Sequence, residues 1–214
     1  MAARFSDTVK FDFEDKKQVE EFAGKPLHYE NQFDVASGEY TLKLAFTAGE
    51  GFGKLEVPLS IEPNDGRKFA ISGLALVREY HKVSGQEANL DAALLEGRAP
   101  LVAGLYQFTP TGAYRFKTTE SPSIYFEVYE PAMTGEKPPQ VGARMIITDR
   151  TSGKQEADFG MISIQAYVKP GNPVIAAGLK LPVSKLKPGS YTVGIQAINS
   201  TGSEALRSAN FEVQ

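Results

Sequence analysis

The chain has 214 residues, 42% of them hydrophobic and 23% charged, with 20 Gly, 13 Pro, no Cys and no Trp. A net charge of -3 on so apolar a chain excludes disorder, and its Gly and Pro fall far short of collagen-like or low-complexity sequence. Disulfide scaffolds and thiolate metal sites are excluded without Cys, and no apolar run approaches the roughly 18 residues of a membrane helix.

Lys and Arg number 23 against 26 Asp and Glu, which leaves no basic excess for a phosphate backbone. Charges alternate in sign along the chain, so neither nucleic acid nor an anionic membrane surface is an expected partner. The start, Met1-Ala2-Ala3-Arg4-Phe5-Ser6, lacks the apolar stretch of a signal peptide. That leaves a cytoplasmic chain or a mature or excised segment.

Alternation with period two, the mark of a strand with one buried face, recurs from end to end. Val9, Phe11 and Phe13 come first, and strands are expected over 8–14, 17–22 and 26–34. Tyr40, Leu42, Leu44 and Phe46 share one face, followed by Leu55, Val57, Leu59 and Ile61. Pro58 falls on the polar face of that second run and marks an edge strand or a bulge. The only helical pattern recognised runs from Gln86 to Gly97. Beyond it Ile124, Phe126 and Val128 oppose Tyr125, Glu127 and Tyr129, and Val141, Ala143, Met145 and Ile147 follow. Leu179, Leu181 and Val183 precede Tyr191, Val193, Ile195 and Ala197, and Ala209, Phe211 and Val213 close the chain. Turn clusters such as Ala36-Ser37-Gly38, Pro188-Gly189 and Asn199-Ser200-Thr201-Gly202 separate these runs. The pattern predicts an all-β protein built of antiparallel β-sandwiches.

Gly38-Glu39-Tyr40-Thr41 and Gly189-Ser190-Tyr191-Thr192 each enter a strand through the same step. The second copy, from Leu186 to Val193, resembles the penultimate-strand corner of immunoglobulin-like and fibronectin type III domains. In those domains a tyrosine packs inward and its hydroxyl bonds back to upstream backbone. Tyr40 and Tyr191 are therefore read as structural corners of two immunoglobulin-like units, spanning 1–66 and 67–214. The first offers too few strands for a whole sandwich. It is a small sheet docked on the second unit, a domain cut at its N-terminal end, or one completed by a partner's strand.

Lys25 to Phe33, Gly53 to Leu59, Ser72 to Leu76, Ser121 to Pro131 and the final Gly-x-Tyr corner carry a further likeness. Together they resemble the C-terminal β-rich region of acidobacterial von Willebrand factor type A-related proteins. The resemblance implies an exported protein of the cell envelope or extracellular space, with a structural, adhesive or binding role. The adhesion domain's metal loop, Asp-x-Ser-x-Ser, is missing, so metal-dependent adhesion does not carry over.

Catalytic patterns are sparse. His28 and His81 are the only histidines and lack the spacing of a zinc site. No Gly-x-Ser-x-Gly elbow is present, and Gly49 to Lys54 runs into Leu55 and a strand where a Walker loop needs Ser or Thr and a helix. No acidic cluster has calcium-loop spacing, and the sequon-like Asn199-Ser200-Thr201 is explained by turn chemistry. Catalytic residues, metal and cofactor are thus not expected. The suggestive group is aromatic. Tyr106, Tyr114, Tyr125 and Tyr129 are the expected binding surface, Tyr125 and Tyr129 sharing one strand face. The expected function is a non-enzymatic structural, adhesive or protein-interaction segment that meets a protein partner or other domains of a longer chain. The alternative is a carbohydrate-binding accessory module with a glycan partner.

Overall fold

The computed structural model describes residues 3–24, 27, 29–64, 66–83 and 100–214. The helical pattern at 86–97, His28 and Asp65 lie outside them. The chain divides into two compact units, Met1–Asn64 and Asp65–Gln214, and is all-β in class.

The first unit corrects three of the expected strands. Residues 17–22 belong to a helix, α1 (Lys16–Ala23). Asp15 caps it by accepting from the Gln18 amide at 2.9 Å, and Gln18 reaches back to the Glu14 amide at 3.0 Å. This near-reciprocal cap satisfies donors that a helix start leaves open. Lys17 faces Glu21 one turn on, at 3.7 Å. Residues 8–14 form no strand because their alternating rings gather on the helix. Phe11 and Phe13 lie 4.5 and 5.2 Å from Phe22. The described part of 26–34 is likewise without strand, and Tyr29 and Phe33 each approach Phe5 at 6.4 Å.

Strands β1 (Gly38–Ala48) and β2 (Gly51–Ile61) do form, as one antiparallel hairpin in unbroken register. Gly49, at φ 57°, turns the chain between them. Phe46 lays its ring over Gly53 across the ladder, where a Cβ would come within 2.3 Å of it. This unit is the smaller of the two.

The second unit is a sandwich. One sheet has the order β11 (Val174–Lys180), β8 (Ser123–Tyr129), β4 (Ala75–Lys82), β6 (Tyr106–Pro110), β5 (Leu101–Ala103), with β3 (Ala70–Ile71) also paired to β8. The other has the order β10 (Gln155–Ser163), β9 (Val141–Asp149), β12 (Gly189–Asn199), β13 (Glu204–Val213), β7 (Arg115–Phe116). All pairings are antiparallel except β13 with β7. Between the sheets, Leu76, Ile124, Phe126, Val128 and Ile175 meet Met145, Ile147, Val193, Ile195 and Phe211. The predicted alternation of β8, β9 and β12 supplies about half of this core. Strand β10 was not among the expected runs. Gly160, at φ 62°, sits in a register shift between Asp158 and Met161, so the strand changes face partway and loses its period.

The first sheet also curls. Phe108 of β6 crosses its concave side to cover Gly178 of β11 and to meet Tyr125 of β8 at 5.6 Å. Val77, Ala103, Phe108 and Tyr125 thereby form a second buried cluster, with Tyr167 packed against it.

Both Gly-x-Tyr tyrosines bond four residues back. The Tyr191 hydroxyl donates to the Lys187 carbonyl at 2.8 Å, and the Tyr40 hydroxyl to the Ala36 carbonyl at 2.8 Å. Tyr191 is buried and stacks on Phe211 at 5.6 Å, whereas Tyr40 is half-buried. Tyr191→Phe removes the hydrogen bond of a buried tyrosine and is expected to cost about 1 kcal/mol in urea denaturation. Tyr40→Phe, where water replaces the lost donor, is expected to cost less than about 0.5 kcal/mol. Equal effects at the two positions would contradict the burial argument.

Candidate functional site

The four tyrosines do not form one surface. Tyr125 is only 5% exposed, which corrects its place in a binding face: the curled sheet covers it with Phe108. Tyr129 is half-buried. Both hydroxyls donate to the carboxylate between them, Tyr125 to Glu127 Oε1 at 2.7 Å and Tyr129 to Glu127 Oε2 at 2.8 Å. The two rings are thus committed to an internal network. Tyr106 is exposed on β6 and meets Tyr80 of β4 edge to face, at 5.5 Å and 86°. That pair offers no coplanar platform for a sugar ring. Tyr114 is exposed elsewhere, beside β7.

Tyr114 borders a shallow groove of about 560 Å³ with Arg115, Lys117, Glu120, Arg150 and Glu212. Several of its charges are already engaged. Arg78 sets Nη1 at 2.6 and 2.7 Å from the two oxygens of Glu120 and Nη2 at 2.8 Å from the Arg115 carbonyl. Its guanidinium also lies 5.1 Å from the centre of the Phe116 ring. Arg115 Nε meets Glu212 at 2.8 Å. These contacts tie the segment before β8 to β4 and β13.

Among the described residues, Glu130 and Asn199 are buried polar side chains, as is Ser123. Asn199 Nδ2 donates to Glu130 Oε2 at 2.6 Å, and Glu130 Oε1 accepts from the Ala132 amide at 3.0 Å. Asn199 Oδ1 accepts from the Thr201 and Ser203 amides at 3.1 and 2.8 Å. The sequon-like asparagine is therefore the clasp of its own hairpin, and its amide nitrogen is occupied. No local signal links positions 130 and 199. Glu127 was legible as the middle of Tyr-x-Glu-x-Tyr on one strand face.

His81 stands exposed on β4, opposite Gln107. Among the described residues, no three His, Asp or Glu side chains converge as metal ligands, and no helix is long and apolar enough to cross a membrane.

An exposed apolar face lies on the hairpin. Register places Tyr40 beside Leu59, Leu42 beside Val57, Leu44 beside Leu55 and Phe46 beside Gly53, all on one face. Leu44, Phe46, Leu55, Val57 and Leu59 are 44%, 66%, 51%, 38% and 41% exposed. These values sum to on the order of 500 Å² of apolar surface, the upper range for the largest patch on a typical monomer. The opposite face carries Glu39, Lys43, Lys54 and Glu56, with Lys43 and Glu56 at 3.4 Å. No family model and no curated protein matches the chain.

The Tyr-Glu-Tyr network has a consequence at high pH. Burial, and then the charge of Glu127 and its hydrogen bond, hold the Tyr125 phenol above the ordinary tyrosine range. Tyr129 is raised by burial and by the same carboxylate. The folded state thus keeps protons that the unfolded chain releases from about pH 10. This contribution to stability is present below about pH 10 and is lost as pH climbs further. Glu127→Gln removes the charge, so both phenols are expected to titrate earlier when phenolate absorbance is followed. An unchanged titration would mean that the carboxylate contributes nothing.

Proposed function

We propose that this chain is a non-enzymatic protein-interaction segment of an exported bacterial protein. The sandwich of residues 65–214 serves as the rigid body and the hairpin of 38–61 as the docking element. The observation that carries the reading is the continuous apolar face of Tyr40, Leu42, Leu44, Phe46, Leu55, Val57 and Leu59. A two-stranded hairpin is marginal alone in water, and such a face lowers its free energy only when another surface covers it. The immunoglobulin-like type of the sandwich is supported by the buried corner bond of Tyr191 to Lys187. The envelope setting rests on the resemblance to von Willebrand factor type A-related proteins.

An environment-sensitive apolar dye tests whether the face is available. At sub-micromolar chain concentration, the full chain is expected to enhance the fluorescence of anilinonaphthalene sulfonate. Leu44→Glu combined with Val57→Glu is expected to remove roughly half of that enhancement or more. Thr41→Glu, on the opposite face, is expected to leave it unchanged. Equal enhancement in all three proteins would overturn the reading.

A further inference from the structure

Resting on that reading of the hairpin, we infer that the occupant of its apolar face is a second copy of the same chain, stacked hairpin on hairpin about a twofold axis. The face contains no charged residue, so nothing on it selects a partner by charge, and two copies meet without burying an ion. Its outer side carries Glu39 and Glu56 against Lys43 and Lys54, two charges of each sign, so identical hairpins do not repel.

The ladder gives the face two parallel rows: Tyr40, Leu42, Leu44 and Phe46 on β1, and Leu59, Val57, Leu55 and Gly53 on β2. A twofold stack sets rows of one copy against rows of the other. It brings the bulky Phe46 end over the Tyr40–Leu59 end and turns two marginal hairpins into a four-stranded, two-layer unit. Each copy contributes on the order of 500 Å², and the pair about 1,000 Å², near the lower bound for a specific interface. The association is therefore weak and reversible. A small area with few polar contacts places its dissociation constant at roughly 1 to 100 µM.

Sedimentation velocity on the full chain, across that range, tests this. The mass is expected to rise from 23.3 kDa toward twice that value, with dye fluorescence per chain falling in step. Leu44→Glu is expected to weaken association at least about tenfold, while Thr41→Glu leaves it intact. A chain that stays monomeric but binds the dye overturns the second copy and leaves the docking face standing. A monomer that does not bind the dye overturns both. A dimer that survives Leu44→Glu places the interface elsewhere and overturns the inference.

Discussion

Strand β8 is packed on both sides, and the second unit is organised by that constraint. Ile124, Phe126 and Val128 fill the space between the sheets, while Tyr125 enters the concave side of its own curled sheet. A strand with no free face must satisfy every polar atom internally. Glu127 does so by accepting from Tyr125 and Tyr129, and its amide donates to the Ser72 hydroxyl at 2.9 Å. Glu130, just past the strand, is met by Asn199 from the far sheet. Glu127 and Glu130 thus find their hydrogen-bond partners within the unit.

The hairpin of 38–61 shows what the same sequence period does without a second layer. Its alternation matches that of β12, yet β12 buries Tyr191, Val193, Ile195 and Ala197 whereas β1 leaves Leu44 and Phe46 in water. Full burial of one such side chain is worth about 1.5–3 kcal/mol, while an exposed ion pair like Lys43–Glu56 contributes at most about 1 kcal/mol. Alternation therefore specifies a face, and a second surface decides whether that face becomes a core. This difference in burial separates the two units.

Legibility in the sequence follows the same line. Strands β1, β2, β8, β9 and β12 were readable because their period is unbroken and their turns carry Gly, Pro, Asn or Asp. The alternation of Val9, Phe11 and Phe13 misled because rings can gather on a helix as well as on a sheet, and Phe22 supplied the helix. Asp15 and Gln18 are the local signal of that helix. The burial of Tyr125 is not legible because one strand's alternation cannot show that its sheet curls. The Asn199–Glu130 clasp spans 69 residues and leaves no local trace.

The absence of cysteine sharpens the account of how the sheets stay together. Immunoglobulin domains of antibodies tie their layers with a disulfide, and here rings and one guanidinium do the joining. Tyr191 stacks on Phe211 at 5.6 Å, Phe211 lies 6.5 Å from Phe116, and Arg78 of the opposite sheet caps Phe116 at 5.1 Å. Arg78 then grips both oxygens of Glu120, in the connection that leads into β8. Each link is worth only about 0.5–1.5 kcal/mol beyond its buried area, but they run in series from the corner strand through β13 and β7 to β4. Such a chain of contacts fixes the layer spacing without a covalent bridge, because displacing any one member exposes the ring beneath it.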